Sequence, residues 1–268
     1  METLSKFAYT NDIFVVAHRG SSGTAPENTL AAFREAIALN VKMIETDIQF
    51  TSDGQIVVYH DIAHILGESH PKSDEPMTFE ELRSLDAGSW FSDKFAGEKI
   101  PVLKEVLELT KDKTYIIIEI KPQNIVNYEQ NLENLLNEII DTGTIDQTLF
   151  ASFSYSFLKY IKSKNPAFHT AAVKLPFDNR LPSEIVTETG CEAFICALPE
   201  LNHRISDDAK TNKIFLGVYS INSKEDLKEV LKYHINAIGT DFPGLIMKEL
   251  AQLQNKFPSP LGEGLRVR

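Results

Sequence analysis

Short apolar segments recur along this chain at helix-sized intervals, and that rhythm restricts the fold more than any other property. Ile13 to Ala17, Met43 to Phe50, Tyr115 to Lys121, Leu149 to Phe153, Phe168 to Val173, Ala193 to Cys196, Ile214 to Tyr219 and Ala237 to Thr240 each read as a strand. Most are apolar almost throughout, as strands buried on both faces must be, and such strands belong to parallel sheets joined by covering helices. Leu30, Phe33 and Ile37 share one face of the first intervening helix, which Asn28 or Thr29 can cap and Asn40 stops. Leu132, Leu135, Leu136 and Ile139 share a face of a later one. Eight staves alternating with helices predict a (β/α)8 TIM barrel, with a doubly wound open sheet as the alternative. A chain of 268 residues suits one large α/β domain.

The second stave differs from the others because it alternates. Glu45, Asp47 and Gln49 fall on one face, and Ile44, Thr46, Ile48 and Phe50 on the other. Two carboxylates at i and i+2 repel each other across roughly 6–7 Å unless a cation lies between them, which suggests a hard-metal site. The plain alternative is a solvent-facing strand with ordinary acidic residues. Asp53-Gly54 then signals a hairpin, so Gln55 to His60 returns antiparallel and brings His60 to the level of Thr46 and Asp47. A second histidine, His18, starts the His18-Arg19-Gly20 turn at the end of the first stave. A histidine at a strand end is commonly a hydrogen-bonded structural residue, but two converging on paired carboxylates favour chemistry. Alternation in Tyr115 to Lys121 sets Tyr115, Ile117, Glu119 and Lys121 on one face. An apolar strand that turns polar only at its end is what the C-terminal mouth of a barrel requires.

The ordered set HRG (18–20), PENT (26–29), IETD (44–47), SDG (52–54) and YHD (59–61) resembles the glycerophosphodiester phosphodiesterase family. The resemblance continues through KIPVLKEVLEL (99–109), IIEIKP (117–122), Ser152-Phe153, GVYSIN (217–222) and GTDFPG (239–244), and spans about Phe14 to Leu250. The chain departs from the family pattern at Tyr219, where tryptophan is commoner, and at Ser154, where aspartate is. The resemblance implies a two-histidine acid/base mechanism in which the glycerol 2-hydroxyl attacks phosphorus while a metal holds glycerol hydroxyls and a phosphate oxygen. His18 and His60 share the proton transfers, with His60 the expected donor to the leaving alcohol. Glu45, Asp47 and Glu119 form an oxygen set suited to Mg²⁺ or Ca²⁺, with Mn²⁺ as a further candidate. Arg19 and Lys121 are the expected phosphate ligands, and Tyr219 and Phe242 candidates for the leaving-group pocket. The implied substrates are small glycerophosphodiesters such as glycerophosphocholine or glycerophosphoethanolamine, giving sn-glycerol 3-phosphate and an alcohol. Two alternatives stand beside this one. One is a related barrel phosphodiesterase releasing a cyclic phosphate from a lysophospholipid or phosphoinositide. The other is a silent ligand-binding barrel, disfavoured because no catalytic group is missing.

Residues 1–255 are expected to form a single catalytic domain. Residues 61–99 read as an irregular insertion near the mouth, anchored by Trp90 and Phe91, with His64 and His70 as candidate supplementary ligands. Lys99 to Lys111 reads as a helix with Pro101 in its first turn. The Pro- and Gly-rich stretch from Asn255, residues 256–268 above all, reads as a disordered tail. A net charge of −11 argues against a nucleic-acid surface. With no secretory signal and no run of 18 apolar residues, a cytoplasmic protein without stable membrane association is expected. Cys191 and Cys196 lack partners at zinc-finger spacing and read as buried free thiols. The oligomeric state is left open.

Overall fold

The computed structural model describes residues 13–66, 76–121 and 128–256. Its strands are β1 Phe14–Ala17, β2 Met43–Phe50, β3 Ile56–Val58, β4 Tyr115–Ile120, β5 Thr148–Ser152, β6 His169–Val173, β7 Ala193–Ala197, β8 Phe215–Tyr219 and β9 Ala237–Thr240. All but β3 pair in parallel in the order β1-β9-β8-β7-β6-β5-β4-β2, and β1 meets β2 again through Val16↔Met43 and Ala17↔Ile44. That last pairing closes the sheet, so the protein is the expected (β/α)8 barrel. β3 is the hairpin return, antiparallel to β2 with Ile48 opposite Val58 and Phe50 opposite Ile56.

Alternation along each stave builds two apolar layers. Ile44, Ile48, Ile116, Ile118 and Phe150 point outward and pack with helix residues such as Phe33, Leu103, Leu107, Leu132 and Leu135. Phe14, Met43, Tyr115 and Leu149 point inward with Ala151, Ala171, Ala193 and Ala237. Each fully buried Leu, Ile or Phe contributes roughly 1.5–3 kcal/mol, so the outer layer supplies much of the stability. The inner layer is bulky at the bottom, where Phe14 and Phe215 stack at 6.2 Å, and small above.

Three local expectations need correction. The helix predicted from Lys99 begins at Leu103, with Val102 as its cap. Pro101 stays outside because this stretch is committed to the hairpin. The Pro101 carbonyl accepts the Val58 N–H at 2.9 Å, and Val102 forms a bridge with Val57. Trp90 is not an anchor of the insertion, being 42% exposed. It packs edge-on to Phe91 at 5.6 Å. Leu82 and Ala87 instead fill the small core over Val57 and Ile100. The final helix runs Pro243–Lys256, past the boundary expected at Asn255.

The His64 side chain, His70 and residues 257–268 lie outside the described residues. Ser154, where the family pattern has aspartate, caps the helix Tyr155–Lys164 by accepting the Phe157 N–H. Cys191 and Cys196 are buried and unpaired with each other. Among the described residues no helix is long and apolar enough to cross a membrane.

Candidate active site

His18 lies one residue beyond β1, where its own N–H still donates to the Thr240 carbonyl at 2.9 Å. The chain must then turn sharply over the barrel rim. Arg19 and Gly20 do this with φ of +54° and +81°. A Cβ at Gly20 would come within 2.7 Å of Ala32 Cβ, so glycine lets the turn lie flat on the helix Leu30–Ala38. The turn aims the Arg19 N–H at Glu45 Oε2, 2.9 Å away.

Glu45 and Asp47 project from the inner face of β2, and parallel register sets Glu119 of β4 opposite Asp47. One oxygen from each of the three lies within 4.8 Å of the others. Burial pushes the Glu45 and Glu119 carboxyls above their ordinary pKa, and the neighbouring Asp47 charge adds to the effect. Three hard oxygens crowded in a poorly solvated place fit a divalent cation, which would relieve both costs at once.

Arg19 and Lys121 already offset part of that charge. Arg19 Nη1 donates to both oxygens of Glu27 at 3.0 Å. Its Nε lies 3.1 Å from Asp47 Oδ2, close enough for an ion pair but not aligned as a hydrogen bond. Lys121 Nζ sits 3.4 Å from Asp47 Oδ1 and 3.6 Å from Glu119 Oε1. His60 returns along the hairpin to the same mouth, its Nδ1 3.1 Å from Asp61 Oδ2, and it lies near enough to Glu119 to interact with that carboxylate.

His18 is held from the far end of the sequence. Its Nδ1 lies 2.7 Å from Asp241 Oδ1, and its Nε2 lies 3.9 Å from Glu45 Oε2. Asp241 also accepts from Asn222 Nδ2 at 2.6 Å and Ser22 Oγ at 3.1 Å. Burial alone would lower the His18 pKa, but the Asp241 bond and the Glu45 charge outweigh it, and the net shift is upward. Burial would likewise raise the Asp241 carboxyl, yet the His18 and Asn222 bonds hold it below its ordinary value.

Tyr219 lines a mostly apolar cavity of about 70 Å³ together with Val16, Ile117, Ala151 and Ile195, and His18, Glu45 and Glu119 line it too. Burial, then the Glu119 charge, pushes its hydroxyl up to about 12, so it stays protonated. Phe242 does not line this cavity. Its ring covers Gly23, where a Cβ would meet it at 2.3 Å.

Sequence reasoning missed Glu27, Asn28, Asn222 and Asp241 as parts of the site. Glu27 and Asn28 sit in PENT and Asp241 in GTDFPG, but each acts through a contact that no period fixes: Glu27 with Arg19 across the rim turn, Asn28 with β2, and Asp241 with His18 across 223 positions.

Comparison with known proteins agrees with this geometry. The glycerophosphoryl diester phosphodiesterase family model matches residues 18–245. A glycerophosphodiester phosphodiesterase from Caldanaerobacter subterraneus subsp. tengcongensis is 34% identical over 235 residues, covering 85% of this chain and 94% of that protein. Among solved structures, an Oleispira antarctica phosphodiesterase in complex with the product sn-glycerol-3-phosphate superposes with a TM-score of 0.79. It is 26% identical, over 91% of this chain and 99% of its own. Glycerophosphodiester phosphodiesterase from Agrobacterium tumefaciens shares the fold, with a TM-score of 0.72 at 24% identity over 87% of this chain and 98% of that one. The family match takes in all three carboxylates, both histidines and the closing strand, and with a relative this similar over nearly its whole length it establishes that the chain belongs to the glycerophosphodiester phosphodiesterase family.

Proposed function

We propose that this protein hydrolyses small glycerophosphodiesters to sn-glycerol 3-phosphate and an alcohol, using a divalent cation held by Glu45, Asp47 and Glu119. The observation that carries the reading is the convergence of these three oxygens within 4.8 Å at a mouth that also holds His18. Mg²⁺ or Ca²⁺ suits the all-oxygen set, and Mn²⁺ is acceptable to it. When bound, the cation supplies Lewis-acid stabilisation of negative charge on the phosphoryl and glycerol oxygens.

The chain's own residues do the rest. Asp241 occupies Nδ1 of His18 and leaves Nε2 to take the proton of the glycerol 2-hydroxyl as that oxygen attacks phosphorus. The bond from phosphorus to the head-group oxygen breaks, and His60 gives that oxygen its proton. A cyclic phosphate results, and water opens it with the histidine roles reversed. Arg19 and Lys121 balance the carboxylates in the structure described. With the cation bound, both can turn toward the substrate's phosphate, Arg19 as a planar fork and Lys121 as a point charge. Tyr219 lines the apolar floor against which the carbon skeleton of a substrate can lie.

The test is release of glycerol 3-phosphate from glycerophosphocholine by protein stripped with chelator, then resupplied with Mg²⁺, Ca²⁺ or Mn²⁺. Metal-restored release is expected. Undiminished release in chelator would sink the cation role, and no release with any ion would sink the substrate assignment.

A further inference from the structure

The PENT motif contributes a residue that the mechanism above does not use. Asn28 is 2% exposed and holds φ at +57°, a left-handed conformation that asparagine tolerates better than most residues with a side chain. It is not the helix cap, because Thr29 Oγ1 accepts the Ala32 N–H. The Asn28 side chain is directed instead at β2. Its Oδ1 accepts from Thr46 Oγ1 at 2.9 Å and from the Asp47 main-chain N–H at 3.3 Å, and its Nδ2 donates to Asp47 Oδ2 at 3.1 Å. The amide orientation is not arbitrary. A main-chain N–H can only donate, so the oxygen must face it and the nitrogen must face the carboxylate.

Asp47 is itself 2% exposed, the most buried of the three candidate ligands. With Oδ2 held by Asn28, Oδ1 faces Lys121, whose ammonium also touches Glu119. Glu45 is treated alike, its Oε2 held by the Arg19 N–H, and the Asn28 N–H donates to the Arg19 carbonyl at 3.0 Å. One loop thus fixes an oxygen of each β2 carboxylate. We propose that Asn28 is a positioning residue for the cation site: its buried amide pins Oδ2 of Asp47 so that Oδ1 is presented to a divalent cation. The proposal rests on the cation reading of Glu45, Asp47 and Glu119. Outer partners of ligating groups typically set metal affinity by about 10–100-fold.

The experiment is Mn²⁺ titration of the full chain without substrate, followed by the spin-resonance signal of free Mn²⁺, for wild type, Asn28→Gly and Thr46→Val. Asn28→Gly keeps the left-handed backbone accessible and removes only the amide. Thr46→Val keeps the β-branched shape in β2 and removes one strut of Asn28. Asn28→Gly should bind Mn²⁺ about 10–100-fold more weakly. Thr46→Val should lose about fivefold, the worth of one hydrogen bond. Melting curves in chelator report whether each variant is folded, and if Asn28→Gly is not, Thr46→Val decides. Wild-type binding with unchanged affinity in the folded variants overturns the role of Asn28 alone. No Mn²⁺ binding by the wild type overturns the cation reading along with it.

Discussion

Removing the charge of Glu119 should make the cation-free protein more stable. Glutamine is isosteric with glutamate, and the partner it would desert, Lys121 at 3.6 Å, keeps a second one in Asp47 at 3.4 Å. Two like charges 4.8 Å apart repel by about 3.5 kcal/mol at an effective dielectric constant near 20. Glu119 has two such neighbours, Glu45 and Asp47. Its attraction to Lys121 at 3.6 Å is worth about 4.6 kcal/mol on the same footing. The difference leaves Glu119→Gln about 2 kcal/mol more stable, or about 4–8 °C in Tm for a domain of this size. The gain depends on pH in a definite direction. Glu45 and Glu119 have folded-state pKa values raised above the ordinary 4.5. Their contribution to stability is therefore fully present below pH 4.5 and is lost as pH rises through the raised values. Near pH 4.5 the wild type holds protons on Glu45 and Glu119 and the variant gains little; the gain grows as pH rises, is clear at pH 8, and is complete only above the value of about 8 to which Glu45 is pushed. Scanning calorimetry in chelator at both pH values tests this, and Mg²⁺, Ca²⁺ or Mn²⁺ added at pH 8 should raise Tm far more in the wild type. A Tm below wild type at pH 8 in chelator, or the same gain at both pH values, would refute the electrostatic reasoning.

The other predictions concern the chemistry and one structural contact. His18→Ala and His60→Ala should each lower kcat by about 10²–10⁴ with the melting transition retained; near wild-type turnover would remove that histidine from the proton transfers. In Asp241→Ala the raised pKa of His18 should fall, so the limb of the kcat/KM profile that reports His18 moves to lower pH, and an unmoved profile would show that Asp241 does not tune it. Arg19→Lys preserves the charge but loses the planar guanidinium whose Nη1 donates to both oxygens of Glu27; KM for glycerophosphocholine should rise, and unchanged kinetics would assign the arginine to the loop alone. Gly88→Ala would set a methyl 1.9 Å from the Phe95 carbonyl oxygen. The insertion must shift to admit it, at a cost of about 1–3 kcal/mol read from denaturant unfolding.

Legibility in the sequence followed the presence of a period. Glu45 and Asp47 could be placed on one face because β2 alternates, and His60 could be brought beside them because Asp53-Gly54 fixes where the hairpin turns. Glu119 and Lys121 followed from alternation in β4. Where two local rules competed, sequence alone chose wrongly: Pro101 suits a helix start, but its carbonyl is needed by Val58, and the helix begins at Leu103, four residues past Lys99. Trp90, expected as an anchor, stays 42% exposed, and the smaller Leu82 and Ala87 fit the space against Val57. The residues with no signal were those that aim others. Asp241 meets His18 across 223 positions, and Asn28 meets Asp47 from a turn with no repeating pattern. A strand end inherits its facing from the strand, so the groups that would touch substrate could be read. A loop residue acquires its partner only when the chain folds over the rim, and the hydrogen bonds that orient those groups come from such loops. The same division tells what substitution should do there: changes at Asn28, Asn222 or Asp241 leave every reacting group present and act through its orientation or, for His18, its pKa.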